Sequence, residues 1–268
     1  MIDRIITRPD FDGIVCAALL REALGRDLPI YWAQPHDMQN GRIHVAAGDI
    51  IANLPLYGEC ALWFDHHITN AIQRPYKGLF RVAPSAAGLI QEYFNTDLSP
   101  QFDTLVTQTD KIDSAQLNLD EILHPERYPY ILVSMTTSTG SANDEAFWNH
   151  LVELLRTSDI EQVMRDPRIQ QRCHRVVSEN KAYETYLKRH TRVQQGVSIT
   201  DFRDLDPVPN GNRFLVYSLF PESFVNMKIY YEKDKTAVKI GHSIINCNCK
   251  VNVGGLLAGH GGGGHHGA

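Results

Sequence analysis

The sequence lacks any run of about eighteen apolar residues, the length a membrane-crossing helix needs. Its first residues show no basic stretch followed by an apolar one and a small-residue cleavage site. Both absences predict a chain that neither spans a membrane nor is secreted, with a cytoplasmic location. Cysteine is scarce: Cys16, Cys60, Cys173, Cys247 and Cys249 are odd in number and scattered, unlike a disulfide framework. The one near pair, Cys247-Asn248-Cys249, has neither the two-residue gap nor the second pair of a structural zinc site. A basic excess is missing too. Lys and Arg number 26 against 31 Asp and Glu, a net charge of −5. No global field draws such a chain to long nucleic acid or an anionic surface, so any attraction for phosphate must be local. There is no internal repeat or low-complexity tract, and nothing that reads out an oligomeric state.

What is present is ordinary globular material: 268 residues, 43% hydrophobic and 21% charged, enough for one large or two medium domains. Residues 5–7 read as a strand and 13–24 as a helix with apolar residues at helical spacing. Short apolar runs at 29–34, 43–47 and 61–64 alternate with turn residues. The stretches 84–94 and 100–113 each begin at a proline and continue with helical periodicity. Strands alternating with helices predict an α/β fold, a mainly parallel sheet with flanking helices. From 159 to 195 the pattern turns long, polar and helical, and after it "GVSITDF", "RFLVYSLF", "NMKIYYEK" and "TAVKIGHSI" read as β-like runs. The expected organisation is an α/β domain over 1–165, a linker helix over 166–195 and a smaller α+β domain over 196–268.

Ligands of open parallel sheets bind beyond the C-terminal ends of the strands. Asp10 and Asp12 follow the first strand, Asp49 follows "IHVAAG", and Asp65-His66-His67 follows "ALWF". Asp110 and Asp113 lie on a later helical segment, where Asp113 reads as a cap or a pairing residue. Two carboxylates about 4 Å apart repel by about 4 kcal/mol at an effective dielectric of about 20. Gathered at one rim, several of them need cations. Oxygen ligands with one or two imidazoles suit Mn²⁺, Mg²⁺ or Fe²⁺. Two such ions about 3.5–4 Å apart can share a hydroxide and clamp a phosphoryl group.

The motifs "TRPDFDG" (7–13), Asp49, "FDHH" (64–67), "TDKIDSA" (109–115) and "GGGGHHGA" (261–268), in that order, resemble the DHH phosphoesterase superfamily: a DHH domain, a linker and a DHH-associated domain. "DFDG", "DMQNG", "DKIDSA" and "NRFLVYSLFPE" look most like its exopolyphosphatase-like subgroup. The resemblance implies that Asp10 and Asp12 each hold one Mn²⁺ or Mg²⁺ ion, that Asp49 and Asp110 contact both, and that His66 binds one. It places Asp65 behind a histidine as an orienting carboxylate, and His67 beside the phosphate. In the second domain it implies an anion wrapped by the backbone of Gly262, Gly263 and Gly264, with His265 on the terminal phosphate. Relatives continue beyond Ala268, which implies a further strand there.

Arg8 departs from the pattern, since many members place a histidine or aspartate at that position. A guanidinium has no lone pair to donate. Three outcomes stay open: water fills the vacant ligand position of a weaker second ion, Arg8 reaches the substrate phosphate itself, or Arg8 pairs with a carboxylate and the protein works with one ion or none. His242 and Ser243 stand where the associated domain usually offers an arginine, with Arg213 and Lys250 as alternative cations. The expected function is a metal-dependent phosphoesterase. It would hydrolyse a small phosphate ester or anhydride, such as a short oligonucleotide, nucleoside bisphosphate, dinucleotide or polyphosphate, through metal-activated hydroxide. The alternative is a nucleotide- or phosphate-binding regulatory protein without catalysis. Acyl editing is remote, because synthetase and zinc-cysteine elements are absent.

Overall fold

A computed structural model gives the fold, with residues 2–95, 97–137, 144–262 and 267 described. The chain divides into two units, one of Met1–Gln116 with Pro129–Arg172, the other of Leu117–Tyr128 with Cys173–Ala268. The division runs through a single 24-residue helix, Pro167–His190. No described helix is long and apolar enough to cross a membrane.

In the first unit, strands β1 (Arg4–Thr7), β2 (Ile30–Trp32), β3 (Asp49–Ala52), β4 (Leu62–Asp65) and β5 (Gly78–Phe80) form a wholly parallel sheet in the order β2-β1-β3-β4-β5. This is the predicted α/β architecture. The central strands are apolar on both faces, as helix-covered parallel strands must be: Ile5, Ile6, Ile50 and Ile51 are fully buried. The helix Phe11–Leu24 is buried all round through its first ten residues. Its run of small and aliphatic side chains lets it pack against helices Ala86–Tyr93, Phe102–Asp113 and Glu145–Thr157. Asp10 caps it, its carboxylate accepting from Gly13 N, and Gly25 closes it in the left-handed region (φ 58°). Gly13 is required by close approach, since a Cβ there would lie 2.0 Å from the Arg8 carbonyl oxygen.

The third strand is displaced from the sequence expectation. Residues 43–47 form no strand; Asp49–Ala52 does. The alternation in "IHVAA" turns Ile43 and Val45 onto the cluster around Ile6, Ile51 and Trp63, leaving His44 exposed. Only "DIIA", buried at every position, suits the centre of a covered sheet.

The second unit carries a four-stranded mixed sheet, β6 (Thr191–Gln194), β7 (Val197–Asp201), β8 (Val225–Glu232) and β9 (Lys235–His242), in that order. Its β7–β8 pairing is parallel and its outer pairings are antiparallel. Gln195 and Gly196, both at positive φ (50° and 77°), make the β6–β7 turn with the sign pattern of type I′. The β-like run at 213–220 is instead the short helix Leu215–Leu219, with Leu215, Val216 and Tyr217 buried in succession. A short apolar run buried on all sides carries no period by which to tell strand from helix.

Candidate metal centre

The strand order reverses between β1 and β3, and the crevice beyond their C-terminal ends is where such sheets bind ligands. Around that edge the chain places Arg8, Asp10 and Asp12 after β1, Asn53 after β3, and Asp65-His66-His67 at the end of β4. Asp113, the last residue of the helix Phe102–Asp113, reaches the same place.

His66 is the centre of the arrangement. Its Nδ1 donates to the Ala83 carbonyl oxygen (3.0 Å), which turns Nε2 toward the carboxylates. That Nε2 is buried and has no hydrogen-bond partner. It lies 3.3 Å from Asp113 Oδ2 and 3.7 Å from Asp12 Oδ2, and one oxygen or nitrogen from each of the three residues falls within a 4.8 Å cluster. Asp12 is buried and held by two backbone donors at the start of the helix Ala86–Tyr93: Ala86 N (3.0 Å) to one oxygen, Ala87 N (2.9 Å) to the other. Burial first, then the charge of Asp10, pushes the Asp12 carboxyl well above the usual carboxylate range. Asp113 moves the same way, through burial and then the charges of Asp12 and Asp10. Two carboxylates that resist ionisation and an imidazole nitrogen without a partner are what a bound divalent ion would relieve. The residues fit one such ion.

His67 plays a different part. Its Nδ1 lies 2.8 Å from Asp65 Oδ1, and Asp65 also accepts from the backbone N–H of His66 (2.9 Å) and His67 (3.3 Å) and from Asn70 Nδ2 (2.6 Å). Three of these four donors fall on Oδ1 and one on Oδ2 of this fully buried carboxylate. Its contact with Nδ1 holds the His67 ring, whereas the metal-bound histidine that Asp65 was expected to orient, His66, has its Nδ1 on the Ala83 carbonyl. Burial pulls the His67 imidazolium down, but the hydrogen bond and charge of Asp65, with Asp113 and Asp12 further off, outweigh it and hold its pKa above the ordinary value.

Asp10 is occupied. Its Oδ1 accepts from Gly13 N (2.9 Å) and Asn53 Nδ2 (2.9 Å), and its Oδ2 pairs with Arg8 Nε at 3.0 Å. Asp49 is not at the site. It starts β3 rather than following it, opposite Arg4 in the register, so it lies at the other end of the sheet. There it takes Arg4 in a two-point contact (Nε 2.8 Å, Nη2 2.9 Å) and the Ala46 N–H (2.8 Å). The metal role expected of Asp49 fails because the strand begins six residues later than the apolar run that suggested it. Asp110 lies beside the cluster, one helical turn before Asp113, and its carboxylate accepts from the Ser85 hydroxyl. Asp113, expected only to cap or pair on its helix, is the carboxylate grouped with His66 and Asp12. The anion site expected at the glycine-rich tail falls largely outside the described residues, which exclude Gly263, Gly264 and His265. The Gly262 amide donates to the Leu257 carbonyl (2.9 Å) and is not available to an anion. Asn53 was invisible to a search for acids; its one signal is its place directly after a buried strand.

No family model matches the chain, and no curated protein sequence does. Solved structures do. The pGpG-specific phosphodiesterase PggH from Vibrio cholerae is 27% identical, with a TM-score of 0.84 over 99% of this chain and 91% of that one. A DHH domain from a member of the s1p family of ribosomal proteins matches at 12% identity and a TM-score of 0.59, over 99% and 82% of the two chains. RecJ in complex with Mn²⁺ from Thermus thermophilus matches at 14% identity and a TM-score of 0.56, over 98% of this chain and 48% of that one. At such identities the last two speak to the fold.

Proposed function

We propose that this chain, which belongs to the DHH phosphoesterase superfamily, is a metal-dependent phosphodiesterase whose substrate is a short linear dinucleotide such as pGpG. The observation that carries the metal reading is the buried, unpartnered Nε2 of His66 facing Asp12 and Asp113. The substrate class is supported by the 27% identity to a pGpG-specific enzyme along nearly the whole chain. A net charge of −5 agrees with a small ligand over a long polyanion.

His66, Asp12 and Asp113 would hold the ion, which when bound supplies charge at the phosphoryl oxygens and acidifies water. The chain's own residues do the rest. Asp65 fixes the His67 ring through Nδ1, and the raised pKa keeps that ring protonated closer to neutrality than an ordinary histidine. It is thus equipped to hold a phosphate oxygen and to pass a proton to the leaving oxygen. Arg8, anchored by Asp10, offers the remainder of its guanidinium to phosphate. Water adds across the P–O3′ bond, and a 5′-phosphorylated dinucleotide yields two nucleoside 5′-monophosphates.

The test is product analysis by ion-exchange chromatography with pGpG, pAp and polyphosphate, each with Mn²⁺ and with chelator. Monophosphate from pGpG, abolished by chelator, is the expected outcome. Faster release from polyphosphate would return the chain to the exopolyphosphatase-like reading. No turnover of any of the three by metal-loaded protein would make it a binding protein.

A further inference from the structure

We propose that the rim takes one divalent ion, not two, and that the Arg8 guanidinium stands where a second cation would sit. The inference rests on the metal reading above and deepens it. The unpartnered His66 Nε2 faces the carboxylates of Asp12 and Asp113, while in the other cluster at this rim, Asp65 with His66 and His67, the Asp65 oxygens already accept from two backbone amides, the His67 ring and Asn70. A second ion would need Asp10 and a donor from the end of β3, and neither is available as a charged ligand. Both acceptor directions of Asp10 Oδ1 are taken by Gly13 N and Asn53 Nδ2, and its Oδ2 faces Arg8 Nε at 3.0 Å. The end of β3 carries the neutral amide of Asn53, while the strand's carboxylate, Asp49, lies at the opposite end with Arg4. An arginine can neither ligate nor give up its charge, so a dication beside Asp10 would meet a fixed positive group and no free carboxylate.

The same contacts give Arg8 a task. Asp10 engages it through Nε, and its two terminal nitrogens have no partner among the described residues. The side chain is 39% exposed. A fork aimed from the edge of the site suits two oxygens of one phosphate group. One cation of the pair is therefore a replaceable ion and the other is part of the chain.

The experiment is Mn²⁺ titration of chelator-stripped full-length protein, read by calorimetry, by elemental analysis after desalting and by electron paramagnetic resonance. One equivalent with the spectrum of an isolated ion is expected, retained in Asp10→Asn. The double variant Arg8→His with Asn53→Asp is expected to take a second equivalent. Two equivalents in the wild type, or loss of the ion in Asp10→Asn, would overturn the inference while leaving the metalloenzyme reading intact. No bound ion in the wild type would sink that reading instead. For Arg8, guanosine monophosphate is the probe: Arg8→Lys should weaken its binding about tenfold, since one point charge replaces a two-point fork, with the Mn²⁺ count still one. Unchanged affinity would remove Arg8 from the phosphate.

Discussion

The two ends of the parallel sheet each bury an aspartate that sequence reading treats alike. At the N-terminal end, Asp49 is 1% exposed and meets a matched guanidinium and a backbone donor. At the C-terminal end, Asp12 is equally buried, but it meets two backbone amides, a neighbouring carboxylate and an imidazole nitrogen without a proton partner. The first aspartate is satisfied by the fold and the second is left wanting. Burial alone did not distinguish them; the account of partners did. A group whose charge the fold already answers is holding the protein together, and one whose charge it leaves unanswered is waiting for a ligand.

That contrast can be broken by substitution. Asp113→Asn or His66→Ala should abolish Mn²⁺ binding and lower kcat/KM by more than about a hundredfold, since losing merely the outer partners of a ligand costs about 10–100-fold. Circular dichroism should find the fold retained. Asp49→Ala should do the reverse: stability to urea falls by about 2–3 kcal/mol as Arg4 loses its partner, while Mn²⁺ affinity stays put. An Asp49→Ala protein that folds normally but binds no ion would erase the distinction between the two ends. Asp65→Asn should lower kcat about 10–100-fold without changing the metal count, because it frees the His67 ring rather than an ion ligand.

The smallest effect sharpens the comparison most. The carboxyls of Asp12 and Asp113 titrate higher in the folded protein than in the unfolded chain, chiefly through burial. Between the two pKa values the folded state holds more protons, so stability falls as pH rises and the contribution is lost on passing the folded pKa. The metal-free protein should therefore melt higher at about pH 5.5 than at about pH 8, and Asp113→Asn should flatten the difference. Melting curves whose pH difference survives Asp113→Asn in full would mean the rim carboxylates are not strained.

The parts of the fold that read correctly from sequence had strong local signals. The turn from β1 into its helix carries Asp10, Gly13 and a run of small apolar residues, and "WFDHH" sets a buried strand against abrupt polarity. What slipped did so where the pattern was weaker. Ile43 and Val45 alternate like a strand but only cover the core, and reading them as the strand put Asp49 at the wrong end. Asp110 and Asp113 share a helix face, so which one faces His66 depends on how the helix Phe102–Asp113 is rotated about its axis, a tertiary matter. Asn53 carries no charge to attract notice, and its φ of 55° is visible only in the fold.

Asp12 serves two masters, with consequences beyond catalysis. The same carboxylate that would grip an ion also tethers the amides of Ala86 and Ala87, where a helix begins. Electron density drawn toward a cation weakens its pull on those two protons. Their exchange with deuterated solvent should quicken upon loading, so that the opening turn of this helix acts as a built-in gauge of whether the crevice is charged.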